Sequence, residues 1–118
     1  MKAIRLTLGI LVVALASGFH ANQLLNTSLK INIRNELGNI EEGVAVQLFG
    51  SEEDYKNVTN PVTEVAYTDS KGNVKFKELG SRVYYIIAKK GDKNNFGAGV
   101  ATDKLIEGKL NKVTVIIE

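Results

Sequence analysis

Apolar and polar residues alternate along most of the chain beyond residue 28. Leu29, Ile31 and Ile33 are interleaved with Lys30, Asn32 and Arg34, the period of two that belongs to a strand with one face in a core and the other in water. Val44, Val46 and Leu48 repeat it between Gly43 and Gly50, and Val62 to Thr68 reads as a third strand led in by Pro61. Val74 and Phe76 alternate with Lys75 and Lys77, and Val113, Val115 and Ile117 close the chain. Asp69, Ser70, Lys71 and Gly72 separate the third strand from the fourth. Asp and Ser side chains bond nearby backbone and Gly supplies positive φ, so this stretch predicts a hairpin.

The fifth strand, Arg82 to Lys89, breaks the pattern. Tyr84, Ile86 and Ala88 share one face, yet Val83, Tyr85 and Ile87 make the other face apolar as well. Such a strand is either central and covered on both sides or lends its outer face to a partner. Val83, Tyr85 and Ile87, with the nearby Phe96, are therefore the candidate partner-binding residues. Phe96 to Ala101 reads as a sixth strand or wide loop in the glycine-bearing segment Lys90 to Asn111. That loop, or an exposed edge strand, is the expected place for a protein partner or for self-association. Seven short strands and no convincing amphipathic helix predict an all-β, antiparallel sandwich. Its expected core is Ile31, Val46, Leu48, Val74, Phe76, Tyr84, Ile86, Val113 and Val115, with Leu79 sealing one end.

The first residues change the boundaries. Lys2 and Arg5 precede the apolar run Leu6 to Ala16, and small residues Ala16, Ser17 and Gly18 follow. This is the pattern of a secretory signal peptide over residues 1–21, cut between Ala16 and Ala21. The run falls short of the roughly 20 apolar residues of a bilayer span, so no stable membrane insertion is expected after cleavage. Asn22 to Ser28 reads as a flexible lead-in and 29–118 as one sandwich domain. The domain is expected to be exported, periplasmic or extracellular, and, lacking cysteine, neither lipid-anchored through one nor held by a disulfide. The chain has 15 Lys and Arg against 13 Asp and Glu. Lys2 and Arg5 leave with the leader, and the remaining balance of 13 against 13 gives no support for a nucleic-acid partner.

Candidate chemistry is sparse. With no Cys, and with the single His at His20 in the leader, no nucleophile, base and orienting group can be assembled. The expectation is a protein that is not an enzyme and needs no metal or cofactor. Glu52, Glu53 and Asp54 lack the alternating oxygen donors of a Ca²⁺ loop and read as an acidic first helical turn, where the helix dipole favours them. Tyr55, Tyr67, Tyr84, Tyr85 and Phe96 supply the stacking groups of a carbohydrate-binding module, the alternative reading. A small core without disulfides has its own demand for aromatics, and Trp is absent.

A resemblance adds to this. Leu29-Lys30-Ile31-Asn32-Ile33-Arg34, then Leu37-Gly38 and Gly43-Val44-Ala45-Val46-Gln47-Leu48, resembles the opening of carboxypeptidase regulatory-like domains. Thr68-Asp69 with Gly72, Phe76, Leu79 and Tyr84 extends the resemblance over Leu29 to Glu118. It implies a transthyretin-like (prealbumin-like) Greek-key sandwich, and the tail looks like small exported bacterial members built of this domain alone. Hydrolases of that fold use catalytic histidines and a C-terminal Tyr-Arg-Gly-Ser, whereas this chain ends Ile116-Ile117-Glu118. Adhesin and pilin repeats of related shape join a Lys to an Asn beside an acid. Lys30 and Asn111, with Glu64 or Glu78, are the nearest counterparts, but alternation turns Lys30 outward, so solvated polar residues are the expectation.

Overall fold

A computed structural model describes residues 26–96 and 101–118. The leader, part of the lead-in and most of the strand expected at Phe96 to Ala101 lie outside the described residues. The elements are β1 (Ser28–Asn35), β2 (Ala45–Phe49), α1 (Glu52–Asn57), β3 (Ala66–Tyr67), β4 (Asn73–Phe76), β5 (Tyr85–Lys90), β6 (Lys93–Asn94) and β7 (Leu110–Ile117). They form an all-β sandwich of two sheets, ordered β4-β1-β7 and β3-β2-β5-β6.

Inward residues of both sheets meet in one core. Leu29, Ile31, Ile33, Val44, Val46, Leu48, Ile86, Ala88 and Ile117 are almost inaccessible to water, with Val74, Phe76, Leu79, Tyr84, Leu105 and Val115 around them. Val113 packs against this group half-buried, so every core residue read from alternation is on the inner face.

Four features depart from the sequence expectation. The sandwich is not wholly antiparallel, because β1 and β7 run parallel, in register from Ser28 and Leu110 to Asn35 and Ile117. Alternation reports which face is buried and carries no information on strand direction. The third strand shrinks to Ala66–Tyr67. Before it, Leu48 N–H donates to the Thr63 hydroxyl at 3.1 Å and Val62 N–H to Leu48 carbonyl at 2.9 Å, so side-chain and loop bonds replace a ladder. The Asp69–Gly72 turn is no hairpin within a sheet, since β3 and β4 lie in different sheets. Its Asp69 carboxylate accepts Lys71 and Asn73 N–H at 2.9 and 3.0 Å, which holds that carboxyl below its ordinary pKa. A short strand with no counterpart in the sequence reading, β6, forms at Lys93–Asn94.

One part-buried ionic contact has no sequence signal. Glu41, 9% exposed, accepts from Lys90 at 3.1 Å, from Asn35 at 3.0 Å and from Lys93 at 3.4 Å. It ties the β1–β2 loop to the β5–β6 turn. The Lys90 bond, then the Asn35 bond, hold its carboxyl below the ordinary value. A depressed carboxyl contributes stability above its unfolded pKa, near 4.3, which is lost as pH falls through the folded value. Glu41→Gln is therefore expected to lower the denaturant midpoint at about pH 6 and to cost much less at about pH 3. An equal loss at both values overturns this role for the carboxylate.

Candidate functional site

The outward face of β5 belongs to the second sheet. Register sets Phe49 beside Tyr85, Gln47 beside Ile87 and Ala45 beside Lys89. Phe49 is fully buried and Ile87 is 7% exposed, yet neither belongs to the inter-sheet core. They form a second, smaller apolar cluster on the other side of the sheet.

Its cover is α1. Ser51 caps this helix by accepting Asp54 N–H at 3.1 Å, and Glu52, Glu53 and Asp54 occupy the first turn, where the helix dipole favours acids. Glu52 pairs with Lys56 at 2.8 Å, and that bond holds its carboxyl below the ordinary value. The acidic run therefore occupies the first helical turn that the sequence reading gave it. Tyr55 projects to β5, its ring centroid 6.2 Å from Tyr85 at a 33° tilt and 6.4 Å from Phe96 at 70°. These separations are in the range of favourable aromatic pairs, and burial pushes the Tyr55 phenol up.

The four partner-binding candidates thus divide. Ile87 is buried, Tyr85 is half-buried beneath Tyr55, Val83 is at the margin of exposure and Phe96 is half-exposed. The element that covers this face is α1, and its only sequence signal is Ser51 followed by three acids. The site is an apolar ledge with Phe96 as its open end.

The backbone edge of β5 is closed. Tyr84 N–H donates to the Thr102 hydroxyl at 3.0 Å and Tyr84 carbonyl accepts Thr102 N–H at 2.8 Å. The fully buried Asn95 side chain accepts Ala88 N–H at 3.0 Å and donates to Ile86 carbonyl at 2.8 Å. Asn95 thereby stands in for a strand, and contact at this site runs through side chains rather than through added main-chain bonds.

The Lys and Asn counterparts of an isopeptide do not meet. Lys30 and Asn111 extend from opposite faces of the first sheet, because Lys30 is opposite Lys112 and Asn111 is opposite the inward Leu29. The Asn111 amide donates to the carbonyls of Ser28, Ile106 and Lys109, within 3.1–3.2 Å. It organises the approach to β7. Glu64 and Glu78 are exposed in loops, outside the named strands. Among the described residues no three His, Cys, Asp or Glu side chains cluster as a metal site, and no helix is long and apolar enough to cross a membrane.

Comparison with known proteins supports the fold. The chain matches a solved streptococcal ancillary pilin with a TM-score of 0.57 at 20% identity, over 77% of this chain and 31% of the pilin. It matches the group B streptococcus pilus 2b backbone protein with a TM-score of 0.51 at 14% identity, over 77% of this chain and 40% of that one. The chain thus spans well under half the length of either. A chlorocatechol 1,2-dioxygenase from Pseudomonas putida matches at 0.44 and 16% identity, over 78% of this chain and 60% of that one, too weakly to carry a relation. No protein-family model matches, and neither does any curated protein sequence.

Proposed function

We propose that this chain is a non-catalytic structural module of the cell envelope or extracellular space, exported by residues 1–21 and acting through residues 29–118 as a protein-binding sandwich. The carboxypeptidase regulatory-like resemblance and the shared fold with pilus proteins support it. The observation that carries it is the ledge of Tyr55, Tyr85 and Phe96, with Phe96 50% exposed. Exposed aromatics at the rim of a packed cluster are the groups that anchor protein interfaces. The rings tilt against one another and offer no flat platform for a sugar, which favours a protein partner or a second copy of the chain.

Phe96→Ser tests this. The variant is expected to keep the parent denaturant midpoint to within about 0.5 kcal/mol of stability, while sedimentation at rising concentration and capture of envelope proteins both weaken. Unchanged association in a folded variant sinks the reading. Retained binding to a glycan panel that depends on Phe96 would replace it by the carbohydrate module.

A further inference from the structure

We propose that the free edge of β7 is a docking strand for an extended peptide that alternates acidic and apolar residues. This surface lies on the first sheet and is independent of the aromatic ledge on the second.

The four outer strands of the two sheets are unequal. β3 and β6 have two residues each and β4 has four, whereas β7 has eight. Short edges are how natural sheets avoid unwanted pairing, and β7 alone among the described strands lacks that protection. Its free backbone groups follow from register. Ser28 N–H donates to Lys109 carbonyl at 3.1 Å, so the odd-numbered residues of β7 turn their backbone groups to β1. The even-numbered residues turn theirs outward, as Glu118 does in exchanging bonds with Asn94 at 3.0 and 3.1 Å. Between the Asn111 anchor and that pair, Lys112, Thr114 and Ile116 each present one N–H and one C=O at the edge. No backbone or side-chain partner for these groups occurs among the described residues outside the strand ladders.

Chemistry on the two sides of this edge defines the guest. On the outer side Lys75, Lys30 and Lys112 stand in one row across β4, β1 and β7, each directly opposite the next. Like charges so placed repel, and none of the three makes an ion pair among the described residues. Asp69 acts on Lys30 only at longer range. A concavity of about 330 Å³ opens there, lined by Lys30, Asn32, Lys112 and Thr114. On the inner side a cleft of about 350 Å³ is walled by Ile86, Val113 and Val115 on one side and by Ala101, Thr102 and Asp103 on the other. An added strand sends alternate side chains to these two sides. Acids over the lysines and apolar groups in the cleft satisfy both, while Asp103 repels an acid on the inner side. Main-chain bonds give such a complex its affinity and the alternate pockets its selectivity.

The probe is a synthetic peptide of alternating Glu and Val, eight residues long to match β7, titrated into the whole protein by fluorescence anisotropy. Binding is expected to fall about tenfold or more in Lys112→Glu and in Thr114→Pro. Thr114→Pro removes an edge-facing N–H and no bond to β1, a position where sheets accept Pro. If that variant unfolds, two N-methylated peptides decide on the parent protein, one blocked at its Val nitrogens and one at its Glu nitrogens. One set of methyl groups is expected to abolish binding and the other to be tolerated, since only one set faces β7. Tolerance of both, insensitivity to a folded Thr114→Pro, or equally tight binding of a sulfated polysaccharide that ignores Thr114→Pro would overturn strand addition. The last result would leave a basic face that collects polyanions.

Discussion

Phe76→Ala is expected to cost about 3–5 kcal/mol, against total stabilities of about 5–15 kcal/mol for ordinary domains. Phe76 lies 7% exposed on β4, inside the inter-sheet core and opposite Leu29 of β1. The cavity left there cannot close easily, because β4 is an edge strand held to β1 by only four register pairs, Leu29↔Phe76 to Asn32↔Asn73. With no cysteine in the chain, no disulfide limits the entropy of the unfolded state and the core bears the full load. Urea unfolding followed by circular dichroism reads the loss. An unchanged midpoint would mean that this side chain does not fill the core.

Gly72→Ala is expected to be nearly as damaging, at about 3 kcal/mol. Gly72 has φ +77° at the point where the chain passes from one sheet to the other, and its carbonyl accepts Ile33 N–H at 2.8 Å. A Cβ there would sit 2.9 Å from Ile33 carbonyl oxygen and 3.0 Å from Ile40 Cβ. Neither atom can rotate away, so steric conflict adds to the cost of a left-handed alanine, about 1–2 kcal/mol. Gly38→Ala isolates the backbone component, because Gly38 has φ +86° and nothing within 4 Å of its would-be Cβ. Equal midpoint shifts in the two variants would show that the contact with Ile33 is harmless.

These two residues also mark what could be read in advance. Phe76 was legible because alternation at Val74 and Phe76 reports the buried face directly, and the same holds for Ile31, Val46 and Ile86. Gly72 was legible as a turn residue, but its partners across the sandwich were not. The turn chemistry of Asp69 to Gly72 fits a change of sheet as well as a return within one. The strand expected over Val62 to Thr68 is shortened to Ala66–Tyr67 because Thr63 and Val62 bond Leu48 through a hydroxyl and a loop amide, leaving Val62 and Val65 at 44% and 45% exposure. At the candidate site, the doubly apolar fifth strand left open a covered second face or one lent to a partner, and the face divides between a buried Ile87 and an exposed Phe96. Its cover was missed because α1 has six residues and no buried one, too short for periodicity to register. Glu41 was missed because a lone acid in a loop is ordinarily solvated. The lysine row was invisible for a different reason. Lys30, Lys75 and Lys112 are far apart in sequence and meet only through register, so a balanced net charge concealed a one-signed face.

The parallel pairing of β1 with β7 bears on how the sandwich carries tension. The two strands lie side by side from Ser28 and Leu110 to Asn35 and Ile117. A pull transmitted through the residues before Ser28 and after Ile117 drags them past each other lengthwise. The slanted bonds of a parallel ladder are then strained together in shear, whereas a hairpin pulled at its open end parts one rung at a time. Rupture under load follows the unfolding rate rather than the equilibrium free energy, so mechanical endurance here resides in the β1–β7 ladder, which contains the Lys30↔Lys112 pair and lies apart from the Phe96 ledge.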